Sequence, residues 1–276
     1  MDADRDPVYV FGHSPEEQRR LMAQEEYLGA SLKQLLREAG VRPGMRILDV
    51  GCGVGDTSFL TARLVGATGS VVGVDRAPEP LTTARERAAV AGMDNVSFVE
   101  GDLRELAFDA PFDAAIGRFV LMYQPDPAAA VRSAARHVRP GGIVAFQEVD
   151  VGVGALSFPR CPTQEQCGEW IQATYRAGGI HERMGARLFG VFRDAGLSEP
   201  TMRLDARIGG GPDFPGYAHF VWLVRSLLPM IERFGIATAA EVDIETLEDR
   251  LRTEAVAGGG VFVSAPFIGA WARKPS

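Results

Sequence analysis

A short apolar run that stops in glycines sets the pattern of this chain. Ile47, Leu48 and Val50 read as a buried strand of a parallel sheet. Gly51, Gly53 and Gly55 follow at once, and beyond them Phe59, Leu60, Ala62 and Leu64 change to helix-compatible spacing. Ser70–Asp75, Val96–Val99, Phe112–Ile116 and Ile143–Phe146 are four more strand-like runs, the last introduced by a turn at Arg139-Pro-Gly-Gly142. Strands alternating with helical stretches at this period predict βαβ units on a mostly parallel sheet. Upstream, Ser14-Pro15-Glu16-Glu17 is a helix start with a capping Ser and a first-position Pro. Leu21, Leu28, Leu32 and Leu35 carry that helix to Ala39, where Gly40 stops it. Asp126-Pro127 caps a further helix to Arg136.

Past residue 150 the pattern loosens. Gly152, Gly154, Pro159 and Pro162 mark a loop, and helices are expected at 163–177 and 182–195, the second ending at Gly196. Residues 201–208 alternate Met202, Leu204, Ala206 and Ile208 against charged neighbours, the period of a half-buried strand. Pro212 to Phe234 is aromatic and apolar, a helix is expected at about 243–256, and Val261–Trp271 reads as the last strand. The chain divides into 1–41, an N-terminal segment and helix; 42–150, the half with regular strand–helix alternation; and 151–276, the remainder of the same domain, carrying insertions.

Bulk properties narrow the choice. With 276 residues, 46% of them hydrophobic, the chain is long enough for one large α/β domain. A net charge of −7 argues against a nucleic-acid partner, whose binders carry a basic face. The acidic start Met-Asp-Ala-Asp-Arg-Asp does not read as a secretion signal, and no stretch approaches the ~20 apolar residues of a membrane span. Cys52, Cys161 and Cys167 suit reduced thiols in a cytoplasm, and no metal site is expected.

The glycine turn decides the ligand class. A dinucleotide fingerprint would place its third small residue at position 56, which here is Asp. Asp49 at the strand end would repel a pyrophosphate and attract an ammonium group. Asp75, ending the second strand, is placed to take both hydroxyls of a ribose. With Glu100-Gly-Asp-Leu103 after strand three and Gly117-Arg118-Phe119 after strand four, the stretch from about 42 to 150 resembles the class I S-adenosylmethionine-dependent methyltransferases. The likeness is to the small-molecule branch related to ubiquinone-biosynthesis and natural-product enzymes, and the ending Ala-Pro-Phe-Ile-Gly-Ala-Trp-Ala-Arg-Lys fits it too.

The resemblance implies a Rossmann-like sheet of seven mostly parallel strands with helices on both faces and the last strand antiparallel. It also implies an N-terminal helical cover and inserted helices near the substrate site. S-adenosyl-L-methionine would be held by Asp49 with Gly51, Cys52 and Gly53 at its methionine part, where Gln24 also belongs. Asp75 and Arg76 would meet the ribose, and Gly101, Asp102 and Leu103 the adenine. Gly117 and Arg118 would face the sulfonium. S-adenosyl-L-homocysteine would be the product and a small organic molecule the substrate, with a homodimer admitted as an assembly.

Methyl transfer rests mainly on placing the acceptor in line, about 3–3.5 Å from the methyl, which supplies ~7–11 kcal/mol. A general base adds ~10²–10⁴-fold where the acceptor is a hydroxyl or a weakly acidic carbon. His181, in a Gly-Gly-Ile-His-Glu junction, is the first candidate and Glu148 the second, ahead of Asp150, His219 and His13. Tyr9, Phe11, Tyr123, Tyr217 and Phe220 are candidate substrate contacts from an aromatic supply that includes Trp170, Tyr175 and Trp222. The alternative readings are a non-methylating relative that keeps the cofactor structurally, as a cyclase or partner subunit, and an RNA methyltransferase.

Overall fold

The computed structural model describes residues 29–197 and 199–276. The expectations resting on Tyr9, Phe11, His13, Gln24 and the helix start at Ser14 lie outside them. Helix α1 (29–39) buries Leu32, Leu35, Leu36 and Ala39 and ends at Gly40, whose φ of 96° is the left-handed turn that favours glycine. The cofactor-type half then alternates: β1 (Arg46–Val50), α2 (Asp56–Val65), β2 (Ser70–Asp75), α3 (Pro78–Val90), β3 (Val96–Glu100), β4 (Phe112–Arg118), α4 (Pro127–Arg136) and β5 (Val138–Val149). The remainder runs β6 (Leu156–Phe158), α5 (Pro162–Ala177), α6 (Met184–Asp194), β7 (Thr201–Asp205), β8 (Ile208–Gly209) and α7 (Gly216–Arg233). It ends with α8 (Ala239–Val242), α9 (Leu247–Ala257), β9 (Val261–Val263) and β10 (Phe267–Arg273).

Seven strands form one sheet in the order β3-β2-β1-β4-β5-β10-β7. β1 pairs in parallel with both β2 and β4, whereas β10 is antiparallel to its neighbours β5 and β7. The strands are apolar on both faces because helices cover both. Ile47, Val71, Ile116 and Ala145 pack with α1 and α2. Leu48, Val74, Val144 and Phe146 point the other way, into a core shared with α4, α5, α6 and α7.

Four expectations change in detail. Pro140, Gly141 and Gly142 do not precede the fifth strand but lie within β5, as a bulge between the pairs Phe112↔Val138 and Ala114↔Ile143. There Gly142 is required, since a Cβ would sit 2.7 Å from the Asp113 carbonyl. The strand expected over 201–208 breaks into β7 and β8, which join different sheets. Its faces are also reversed: Leu204 is 64% exposed, while Arg203 turns inward onto Glu38 and Asp205. The strand expected over 261–271 is likewise two strands, with β6, β9 and β8 forming a separate antiparallel sheet. The helix expected at 243–256 begins only at Leu247, after the short capped turn of α8.

Candidate functional site

Register brings the glycine turn and the acidic strand ends together. Val50 pairs with Val74 on one side and with Gly117 on the other, and Asp75 pairs with Glu100. The segments after β1, β2, β3 and β4 therefore meet at one edge, beside the point between β1 and β4 where the strand order reverses. A cavity of about 580 Å³ opens there. Gly51, Cys52, Gly53, Asp75, Arg76, Gly101, Asp102, Leu103 and Arg118 all line it.

The turn is built to bring backbone close to a ligand. Gly51, Gly53 and Gly55 all have positive φ, and a Cβ on Gly53 would project into open space. The Gly53 N–H donates to Asp75 Oδ2 at 2.9 Å and the Ala77 N–H to Oδ1 at 3.0 Å, which fixes the carboxylate at the cavity wall. Two of its four acceptor positions remain for a ligand. Asp49 lies behind the lining and is fully buried. Burial pushes its carboxyl up to about 7, against the pull of the Ser58 hydroxyl, which donates to Oδ2 at 2.5 Å. Its Oδ1 is buried with no partner, an acceptor that needs a donor. This orphaned oxygen, the bare Cα of Gly53 and the held carboxylate of Asp75 fit an amino-acid and ribose-bearing group such as S-adenosylmethionine.

Asp102 is less free than its expected role needs. Arg104 bonds both of its oxygens and Arg76 pairs with Oδ2 at 2.7 Å. The Arg104 hydrogen bonds above all hold its carboxyl down at about 2. An adenine amino group would share an anion already occupied by two guanidinium groups. Gly117 does not reach the cavity. Its Cα is crowded by the Phe146 ring, which a Cβ would meet at 2.5 Å, so its hydrogen is a packing requirement.

Neither Glu148 nor His181 lines the cavity. Glu148 is fully buried and accepts from the backbone N–H of Val120, Leu121 and Met122. Burial raises it to about 7 while those three bonds pull the other way. It anchors the short 3₁₀ turn that presents Phe119 and Val120 to the cavity, with Phe119 at φ 56°. His181 Nδ1 lies 2.8 Å from Arg187 Nη1, which can only donate, so Nε2 carries the proton and gives it to the Gln124 carbonyl at 3.0 Å. Burial lowers its pKa, and neither nitrogen is left to take a proton from a substrate. His181 is a fastening between the turn and α6.

Of the aromatic candidates, Tyr123 and Phe220 line the cavity, whereas Tyr217 packs in the core against Phe214 and Phe262. Among the described histidines, His219 alone reaches the cavity. The rest of this wall comes from Phe119, Val151, Ile171, Tyr175, Leu223 and Phe262. Of these, Ile171 and Tyr175 were legible as an i,i+4 pair on an expected helix. Phe262 is a wall residue because β9 joins the separate antiparallel sheet, which its place in an expected single strand over 261–271 did not reveal.

Residues 42–176 match a family model described as a methyltransferase domain. A demethylmenaquinone methyltransferase of Staphylococcus aureus (strain MRSA252) is 39% identical over 117 residues, which cover 42% of this chain and 48% of that protein. The chain thus aligns with about half the length of the curated relatives it matches. The YcgJ protein of Bacillus subtilis shares the fold with a TM-score of 0.57 at 20% identity, over 90% of this chain and 99% of that one. An N-methyltransferase of Haemonchus contortus, solved with phosphomonomethylethanolamine and S-adenosylhomocysteine, shares it with a TM-score of 0.55 at 19% identity, over 88% and 52%. Residues 42–176 are thus similar to methyltransferase domains, and the sheet order, the glycine turn and the held carboxylate of Asp75 fit the S-adenosylmethionine-dependent class.

Proposed function

We propose that the chain is a methyltransferase that moves the methyl of S-adenosylmethionine to an O, N or C atom of a small, largely apolar, ring-bearing molecule. The observation that carries this is the continuity of one cavity, from Gly51, Gly53, Asp75 and Asp102 to Tyr123, Ile171, Phe220 and Phe262. A polar end suited to a charged nucleoside and an apolar end suited to a flat acceptor share one space. When bound, the cofactor supplies an electrophilic methyl group on a sulfonium.

The chain's own share is placement. Asp75 and the Gly51–Gly53 turn would hold the cofactor's ribose and amino-acid parts, while the aromatic wall orients the acceptor and excludes water. Among the side chains that line the cavity, His219 would be the one to take a proton from a hydroxyl acceptor; a neutral amine needs none. The apolar wall and the acidic net charge favour a small molecule over RNA. No helix among the described residues is long and apolar enough to cross a membrane. The test is S-adenosylhomocysteine release from the purified protein across a panel of phenols, naphthols and ring amines. Release with any of them, plus micromolar binding of S-adenosylhomocysteine, is expected; no binding of either nucleoside would refute the reading.

A further inference from the structure

Glu148 holds its turn with a buried carboxylate. Val120 and Leu121 donate their backbone N–H groups to Oε1 at 2.9 and 2.8 Å, and Met122 donates to Oε2 at 3.3 Å. Burial and these three N–H groups are what act on its charge, with no cation among them. A buried carboxylate without a cation is costly, and a turn that needs only a fastening is served by a neutral amide. What the carboxylate adds is two acceptor oxygens and no donor, so all three N–H groups can converge on one side chain. The turn it holds borders the cofactor end of the cavity. The Phe119 N–H donates to the Gln147 carbonyl at 2.9 Å, and the chain then turns over Glu148 with Phe119 at φ 56°, a conformation that needs holding. Val120 comes next and lines the cavity. A Cβ on Gly51 would meet the two methyls of Val120 at 2.6 and 3.1 Å, so Val120 lies directly against the glycine turn. Glu148, Val120 and Gly51 form one chain of contacts from β5 to the cavity wall.

We propose that Glu148 is a positioning residue: its carboxylate sets the turn over residues 119–122, and through Val120 the pocket wall that meets the amino-acid part of S-adenosylmethionine. The inference rests on the proposed function, which gives the Gly51–Gly53 turn to that part of the cofactor. Methyl transfer depends on where the sulfonium sits, and a wall that gives way beside the methionine part lets it shift. The nucleoside is held elsewhere, at Asp75 and the segment after β3. Glu148 should therefore be felt by a ligand that carries the amino-acid part and not by one that lacks it.

The experiment measures two dissociation constants on the full chain, for S-adenosylhomocysteine and for 5′-methylthioadenosine, which keeps the nucleoside and the sulfur but lacks the amino-acid end. In Glu148→Gln the side-chain carbonyl still accepts from Val120 and Leu121, whereas the amide NH2 opposes the Met122 N–H. That variant is expected to bind S-adenosylhomocysteine about tenfold more weakly than wild type, and 5′-methylthioadenosine within about threefold. Val120→Ala keeps every Glu148 bond and trims the methyls that lie against Gly51. It should shift the ratio of the two constants in the same direction by about fivefold, and it serves if the Gln variant folds poorly. In a variant with a cooperative melting transition, S-adenosylhomocysteine affinity within threefold of wild type, or an equal loss for both ligands, overturns the proposal. Failure of the wild type to bind S-adenosylhomocysteine would instead overturn the proposed function.

Discussion

Replacing Asp75 by Ala separates the cofactor reading from a purely structural one. The carboxylate has two tasks in the fold: it accepts from Gly53 N–H at 2.9 Å and Ala77 N–H at 3.0 Å, and it borders the cavity. Losing the first task frees two N–H groups at a wetted wall, where water replaces part of each bond, so stability should fall by about 1–2 kcal/mol. For a chain of this size that is a melting-temperature drop of roughly 2–8 °C, with the fold retained. Losing the second task removes two charge-assisted hydrogen bonds to the ribose, each worth ~1.5–3 kcal/mol before discounting for the half-exposed setting. After that discount the loss is about 2.7 kcal/mol, or roughly 100-fold in affinity. Calorimetric titration with S-adenosylhomocysteine alongside thermal unfolding reads both terms. Asp75→Asn, which keeps an acceptor for Gly53 but loses the charge, should fall between wild type and Ala. A dissociation constant within threefold of wild type, in a variant whose melting point has dropped, would make Asp75 a turn fastening and nothing more.

Burial raises the Glu148 carboxyl from 4.5 to about 7, so between those values the unfolded chain ionises before the fold does, and stability falls as pH rises. Glu148→Gln lacks that slope; the stability of wild type relative to the variant should decline by about 3 kcal/mol from pH 4.5 to 7, and a flat difference in urea titrations would contradict it. His181→Ala should keep turnover within about fivefold, whereas His219→Ala should cost ~10²-fold with a hydroxyl acceptor and regain activity at high pH, where the substrate ionises unaided. The reverse ranking would restore His181 as the base. Gly53→Ala puts a methyl into the open cradle at a φ of 52° and should weaken S-adenosylhomocysteine binding more than tenfold at a stability cost of about 1–3 kcal/mol; unchanged binding would place the ligand elsewhere.

The nucleotide-type half was legible because its signals are local. Ile47, Leu48 and Val50 need no partner to identify a buried strand, and Gly51, Gly53 and Asp75 belong to turns whose chemistry is written in a few adjacent residues. The later half was not, because its meaning depends on pairing. β6, β8 and β9 have two or three residues each and acquire identity only from one another. β7 shows why alternation alone misleads at a sheet edge: the period was right, but an ion pair of Arg203 with Glu38 drew the charged side inward and left Leu204 outside. The catalytic candidates failed for a related reason. Sequence position placed Glu148 just past a strand end and His181 in a junction between helices, but only coordinates reveal that three backbone N–H groups and Arg187 already occupy them.

The strand order also dictates a timetable. Among the described residues, β10 follows every other strand in sequence yet lies between β5 and β7, and β7 finds its sheet partner only in β10. During synthesis β1 to β5 can zip together as they emerge, but β5 keeps an open edge and β7 waits unpaired until β10 has emerged. The substrate end of the cavity is held to the same schedule, because Phe262 and Phe267 arrive with that closing segment. A nascent chain would thus assemble the nucleoside end first and complete its acceptor pocket only once β10 has paired.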